Sequence, residues 1–436
     1  MAQAFAPEAV PARFHKVFLF YSSLPSTLPP MSKGRILIAA YVFPPGEGGV
    51  GMAAHEMASS MGALDWNVHV ITRPQNPSNS SSCAKCCPLT TLPDSLTKNS
   101  AHLREYLSVF LKNLQPDFII YHSWSNWCRE ELLACAQDAG IPFFLRSHGT
   151  ASNFLSYFHL NYPPFFGMKK WLCSFLKIRR DILNILRKSP LNHLVFLDPY
   201  GTLFKSFDYY YASRRQLSNY VSIPNTFPAL KQTAPFFREK YGLPSGPIFT
   251  CPASACSRKR QLLFIRHVKQ TKLQNIVFLF LVPERNSYAE KMEQLIGDDP
   301  RFRILYGLPR PEVEAAIIES TAVFLYSFQE QQPLCILEAM SCGVPWFTPN
   351  VGAVSTLNGG IVLKKASPAT VKKVVESLTD EKIREQLGQE GSRTWQTRYA
   401  PGVVYGQWEE LLLSSVQPEE KTFLHPPLFP NHSPAP

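Results

Sequence analysis

Short unbroken apolar runs, each closed by a turn, recur along the whole chain. They cover residues 35–43, 68–72, 117–122, 142–149 and 194–197, and then 247–252, 275–281, 302–306, 322–326, 346–348 and 359–363. Runs of this length, without polar alternation, predict strands buried on both faces. Between several of them, apolar positions repeat at helical spacing instead. Val50, Ala53, Ala54, Met57, Ala58 and Met61 form one such series, residues 311–319 a second, 333–342 a third and 395–413 a fourth. Strand, loop, helix, strand is the βαβ unit, so the pattern predicts an α/β protein whose ligands gather at the carboxyl ends of its strands.

At 436 residues the chain is long for one core, which predicts two domains. The first would span 31–226 and the second 247–400, with a linker over 227–246. A helix over 401–415 would follow. Residues 1–30 read as a disordered extension, and the Pro-rich tail from 416 to 436 as equally loose.

Chemistry concentrates where two glutamates, Glu330 and Glu338, stand eight positions apart around an apolar stretch. Pro333 falls where a first helical position is expected and Gly343 just past the end, the usual polarity of a short helix. Glu330 then lies in the loop at the helix mouth and Glu338 on its second turn. The mouth offers free N–H groups and a positive dipole end, a ready site for an anion. A carboxylate beside an anion site suits a ligand carrying both phosphate and hydroxyl groups, as a sugar nucleotide does. Near the other domain's start, Gly48 and Gly49 sit in a glycine-rich turn after the first strand, the opening of a nucleotide-type α/β sheet.

Charge and cysteine content narrow the picture only a little. The 44 Lys and Arg against 33 Asp and Glu give a net charge of +11, which suits anionic partners without choosing among them. The ten cysteines do not form a disulfide framework; Cys173, Cys251 and Cys335 sit in apolar runs, as small buried residues do. Cys83, Cys86 and Cys87 are not followed by a second Cys/His pair at finger spacing, so no zinc site is expected. A reducing, cytoplasmic setting fits this usage. No apolar run is long enough to span a bilayer. Residues 151–190 carry many aromatics with seven Lys/Arg and one acid, Asp181, which reads either as core-facing helices or as a helical patch for an anionic membrane surface.

The run Tyr326-Ser-Phe-Gln-Glu-Gln-Gln-Pro-Leu-Cys-Ile-Leu-Glu-Ala-Met-Ser-Cys-Gly-Val-Pro345 resembles the E-x7-E segment of retaining glycosyltransferases with the GT-B fold, above all glycosyltransferase family 4. The Pro-Pro-x-x-Gly-Gly after the first strand and Ile223-Pro-Asn225 near the end of the first domain are similar to the same family, and the likeness extends over residues 33–415. It implies two Rossmann-like domains facing each other across a cleft, with the last helix crossing back to the first. It implies transfer of a sugar from a nucleotide-diphosphate sugar to a glycan or lipid-linked acceptor, with retention, no metal and no cofactor. His148, Lys259 and Glu330 would be catalytic. Gly48, Gly49, Arg258, Gln331, Pro333, Leu334 and Glu338 would bind the donor, Glu338 through its ribose. His122, at the end of an earlier strand, is a weaker candidate.

Two departures stand out. The family Arg that precedes the Lys by five residues falls on Ser254, leaving Arg258 or Arg260 to supply the charge. Where the family carries a later Glu, Ser355 and Thr356 stand. Three alternatives therefore stay open: a glycosidase using the two acids, a GT-B epimerase or phosphorylase, and a degenerate transferase that binds sugar nucleotides or glycans without turnover.

Overall fold

The computed structural model describes residues 32–44, 48–74, 87–149, 164–197, 207–215, 217, 219–232, 234 and 236–416. The expectations for residues 1–30, for Cys83 and Cys86, for residues 151–163 and for the tail beyond 416 lie outside them. Two wholly parallel sheets organise the chain. The first contains β1 (Arg35–Ala40), β2 (Asn67–Thr72), β3 (Leu89–Thr91), β4 (Phe118–His122), β5 (Phe143–Arg146), β6 (His193–Phe196) and β7 (Tyr220–Ser222), in the spatial order 3-2-1-4-5-6-7. The second contains β8 (Ile248–Pro252), β9 (Val277–Val282), β10 (Phe302–Tyr306), β11 (Ala322–Phe324), β12 (Trp346–Pro349) and β13 (Gly360–Leu363), in the order 10-9-8-11-12-13. Counted from its own first strand, each sheet begins 3-2-1-4-5-6, the doubly wound order whose crevice opens where the winding reverses. That reversal falls between β1 and β4 in one sheet and between β8 and β11 in the other.

The strand residues explain their own burial. Five of the six residues of β1 and all six of β9 are buried, as sheets covered on both faces require. In the second domain Phe249, Phe264, Phe278, Phe324 and Phe347 interlock, with Phe324 and Phe347 stacked at 5.3 Å. The apolar series predicted over 50–61 is the inner face of α1 (Gly49–Ala63), which buries Ala53, Ala54, Met57, Ala58 and Met61. Within the basic stretch, the described residues 164–188 form one long helix, α2 (Pro164–Lys188). Ile178, Ile182 and Ile185 anchor it, while Leu172, Leu176, Lys177, Arg179 and Arg180 are exposed.

Several boundaries differ from the sequence pattern. Tyr41 to Phe43 leave β1 to enter the loop above it, and Leu325 and Tyr326 leave β11, with Phe43, Leu325 and Tyr326 still packed in the cores. Cys173 is exposed and Cys335 half-buried, so neither is a plain core residue. The apolar series over 395–413 is broken: a π-helical turn over Trp395–Tyr399 precedes the final helix at Pro401–Val416, close to the expected 401–415. Pro401 ends the first segment because it lacks the N–H that continued winding needs. The final helix buries Val404, Tyr405, Trp408 and Leu412 in the first domain's core. Residues 227–246 are docked on the second sheet through Phe237 and Leu243.

Candidate functional site

The carboxyl ends of the two sheets face one cleft of about 660 Å³. Gly48, Gly49, His148, Arg258, Lys259, Glu330, Gln331, Pro333, Leu334 and Glu338 all line it. Each arrives on a loop or helix start following a strand: the glycines after β1, His148 after β5, Arg258 and Lys259 after β8, Glu330 after β11.

The short helix α5 runs Leu334–Ser341, after α3 (Gln261–Lys269) and α4 (Arg310–Ile318) of the same domain. Pro333 caps it from outside at φ −71° and ψ 122°, so the helix opens one residue later than the sequence suggests. The first helical amides are therefore those of Leu334 and Cys335, which have no carbonyl partner within the helix. At the far end Gly343 adopts φ +71°, and Val344 and Gly343 donate to the carbonyls of Ala339 and Met340. This paired closure satisfies the last turn and fixes where Glu338 points.

The loop bearing Glu330 is stitched from three sides. Phe328 N–H donates to the Arg258 carbonyl at 3.1 Å, and Ala353 N–H donates to that of Gln331 at 2.7 Å. Gly352, at φ +53°, presses against the same backbone so closely that a Cβ would meet the Glu330 and Gln331 carbonyl oxygens at 2.3 Å. From across the cleft Gly149 does the same to the Gln331 side chain, where a Cβ would lie 2.0 Å away. Two glycines thus let the loop sit between domains.

Lys259 Nζ donates to Glu330 at 2.6 Å, and Arg258 Nη1 donates to the other carboxylate oxygen at 3.3 Å. Burial alone would raise the Glu330 carboxyl, but these two cations outweigh it and hold it below the usual carboxylate range. Arg260 turns away, in a left-handed conformation with its guanidinium 4.9 Å from the Phe328 ring. Of the two arginines, Arg258 is the one that reaches the cleft; Ser254 also lines it. Thr356, where the family carries an acid, folds its hydroxyl onto the Ala353 carbonyl at 2.7 Å.

Glu338 is ion-paired with Arg310 at 2.9 Å. Burial pushes its carboxyl above the ordinary range, against the opposing pull of Arg310. Arg310 was not singled out from the sequence, although Leu308-Pro-Arg310-Pro directly after β10 marks an Arg opening a helix. It also lies 4.6 Å over the Phe227 ring, at the start of the interdomain stretch. Gln329, too, escaped notice: it is buried, lines the cleft, and both amide atoms lack partners.

On the first domain's side, His148 stacks on His122, with ring centroids 5.2 Å apart and His122 Nδ1 3.1 Å from His148 Nε2. His122 is buried at the end of β4, behind His148 rather than on the cleft wall. Beside it in register on β5, Arg146 is buried as well. Burial, reinforced by Arg146, lowers His148 to about 3 and pushes His122 well below its usual value. Arg146 Nη2 donates to Asn225 Oδ1 at 2.9 Å, and Asn225 N–H donates to Gln332 Oε1 in the glutamate loop. A polar chain therefore runs from one sheet rim to the other.

A family described as "Glycosyltransferase Family 4" matches residues 47–180, and one described as "Glycosyl transferases group 1" matches residues 246–380. The two stretches fall in different domains and carry both walls of the cleft. The chain belongs to the family 4-like glycosyltransferases. A search of curated proteins by sequence gives no match. Among solved structures, HepE from Anabaena in complex with UDP and glucose is similar at a TM-score of 0.67, with 14% identity over 87% of this chain and 100% of that one. A glycosyltransferase from Rickettsia africae scores 0.70, with 14% identity over 89% and 100%. Sucrose-phosphate synthase from Thermosynechococcus elongatus scores 0.68, with 14% identity over 88% and 100%. At that identity the likeness is one of fold, and the fold is GT-B.

Proposed function

We propose that this glycosyltransferase moves a sugar from a nucleoside-diphosphate sugar to a carbohydrate-bearing acceptor, with retention and without a metal ion. The observation that carries the reading is the convergence of Lys259, Arg258 and the α5 amides on one wall of the interdomain cleft, facing His148 on the other. The UDP and glucose bound by HepE support such a donor.

As the sugar–phosphate bond breaks, negative charge builds on the leaving diphosphate. Lys259 and Arg258 stabilise it, with the helix N-terminus adding its dipole; each such contact is typically worth about 2.7–4 kcal/mol of barrier. Glu330 keeps both cations poised while the cleft is empty, then turns to the sugar hydroxyls, as Gln329 does with its unpaired amide. Glu338, steadied by Arg310, accepts both ribose hydroxyls. His148 meets the sugar from the first domain.

The acceptor side of the reading rests on a second groove at the same rim of the first sheet. It measures about 430 Å³ and is lined by Tyr41, Arg73, Asp94, Lys98, Asn126 and Trp127, among others. Tyr41 and Trp127 form an aromatic corner, with ring centroids 6.2 Å apart, and Arg73 grips Asp94 through two hydrogen bonds at 2.9 and 3.0 Å. Aromatic faces beside planar charged groups are what a sugar ring needs. The exposed basic face of α2, with Leu172 and Leu176, suits an anionic membrane surface on which a lipid-linked acceptor would sit. Among the described residues no helix is long and apolar enough to cross a membrane.

The test is release of free nucleoside diphosphate from a panel of sugar nucleotides, with and without a chelator, with proton NMR reading the anomeric configuration of the product. Release abolished in both Glu330→Ala and Lys259→Ala supports the reading. Binding of no sugar nucleotide by calorimetry ends it.

A further inference from the structure

The contact between His122 and His148 is a hydrogen bond between two imidazoles that burial keeps neutral. It has two forms. In one, His122 Nδ1–H donates to His148 Nε2. In the other, His148 Nε2–H donates to His122 Nδ1, and His122 must then carry its own proton on Nε2. That Nε2 is buried and has no partner. The second form would strand a buried N–H with nothing to accept it, whereas the first strands only a lone pair, the cheaper and more frequent defect. Arg146, whose Nε and Nη1 are buried without partners, bears on both rings with its positive charge and so favours their neutral forms.

We infer that His122 is a positioning residue: it donates from Nδ1 to Nε2 of His148 and so fixes His148 as the tautomer with its proton on Nδ1. His148 then has one way to meet a ligand, by donating Nδ1–H to an oxygen. On the reading above, that oxygen belongs to the donor sugar, and this inference rests on that reading for its catalytic consequence alone. A tautomer held by a second ring costs no reorganisation when substrate arrives, which is how an oriented imidazole gains over a free one.

The experiment is long-range proton–nitrogen NMR of the full-length protein with nitrogen-15 histidine, near pH 7.5, where the two ring nitrogens of each tautomer have distinct shifts. The His148 resonances are assigned by their loss in His148→Gln. The expected result is a protonated Nδ1 and a bare Nε2 in His148. His122→Phe keeps ring volume but removes the donor, so the fixed tautomer is lost and kcat falls about tenfold, the scale of one neutral hydrogen bond, with donor KM nearly unchanged. His122→Asn, whose amide N–H stands near the place of Nδ1–H, restores both. A His148 proton found on Nε2 in the unaltered protein overturns the inference, as does His122→Phe with tautomer and kcat intact. The spectrum of the unaltered protein decides the matter if the Phe variant does not fold. The tautomer is measurable whether or not any sugar is transferred, so a failure of the transferase reading shows separately, as absence of nucleoside diphosphate release.

Discussion

The two rims of the cleft come from sheets of the same winding, yet they handle charge in opposite ways. On the second domain's rim every acid facing the cleft has a cation: Glu330 has Lys259 and Arg258, and Glu338 has Arg310. On the first domain's rim the buried His122, the half-buried His148 and Arg146 lie together, and Arg146 is bonded to a carbonyl and an amide oxygen rather than a carboxylate. The difference teaches what each side is for. Ion pairs can be exchanged for a ligand's charges at little cost, because the ligand replaces one partner with another. Rings kept neutral by burial cannot follow pH or ligand charge, so they offer fixed hydrogen-bond geometry. On the proposed reading, one rim would answer the donor's charge and the other would hold its sugar in place.

The sharpest way to break that contrast is Lys259→Ala. If exchangeable cations carry the chemistry, nucleoside diphosphate release should fall about 10²–10³-fold, while His148→Ala costs less. An equal or larger loss in His148→Ala, by initial rates at saturating donor, would reverse the assignment of roles.

Next in size is the response to acid. His148 and His69 are lowered from 6.5 to about 3 and about 4, and His122 is lowered well below its usual value, all chiefly by burial. The unfolded chain takes up protons near pH 6.5 that the folded chain refuses, so stability is full above that value and is lost as pH falls through the window below it. Each group contributes at most about 1.4 kcal/mol per pH unit. Thermal unfolding should therefore shift downward between pH 7 and 5, and His69→Asn should flatten the shift. Glu330 works in a lower window: its carboxyl is depressed below 4.5, so its contribution is present above 4.5 and disappears on further acidification.

Much of this could be read before any coordinates. The Pro333 to Gly343 bracket and the strand runs found the site because each depends on local backbone chemistry. What escaped depends on long-range packing. Arg310 matters because α4 is laid beside α5, which no spacing reveals. Whether Arg258 or Arg260 replaced the missing charge at Ser254 turned on Arg260 adopting a left-handed conformation. His122 looked like the weaker histidine because a sequence shows that a residue ends a strand, not that the next strand over presses a second ring against it. The single helix at Pro164–Lys188 and the break before Pro401 were likewise matters of where chains meet.

A smaller effect separates binding from chemistry on the second rim. Arg310→Leu leaves the raised Glu338 carboxyl without its cation, so donor KM should rise about tenfold with kcat nearly constant. A fall in kcat instead would move Glu338 from ribose to the reacting centre. The mildest change belongs to the outer surface. Lys177→Glu on the exposed face of α2 should weaken sedimentation with anionic vesicles by about 1–2 kcal/mol at low salt, and leave transfer to a water-soluble acceptor untouched.

The last helix carries a mechanical consequence. The chain passes between lobes once near Thr226 and again at Ala400, and the Thr226 hydroxyl donates to the Tyr399 carbonyl at 2.5 Å, so the two crossings lie side by side. A body tethered at two adjacent points turns like a book on its spine: the covers swing apart or together, but neither can twist away from the other. Because Trp408 of the second crossing is packed inside the first lobe, cutting the chain at residue 400 would unbind the spine and leave a hole in one cover at the same stroke.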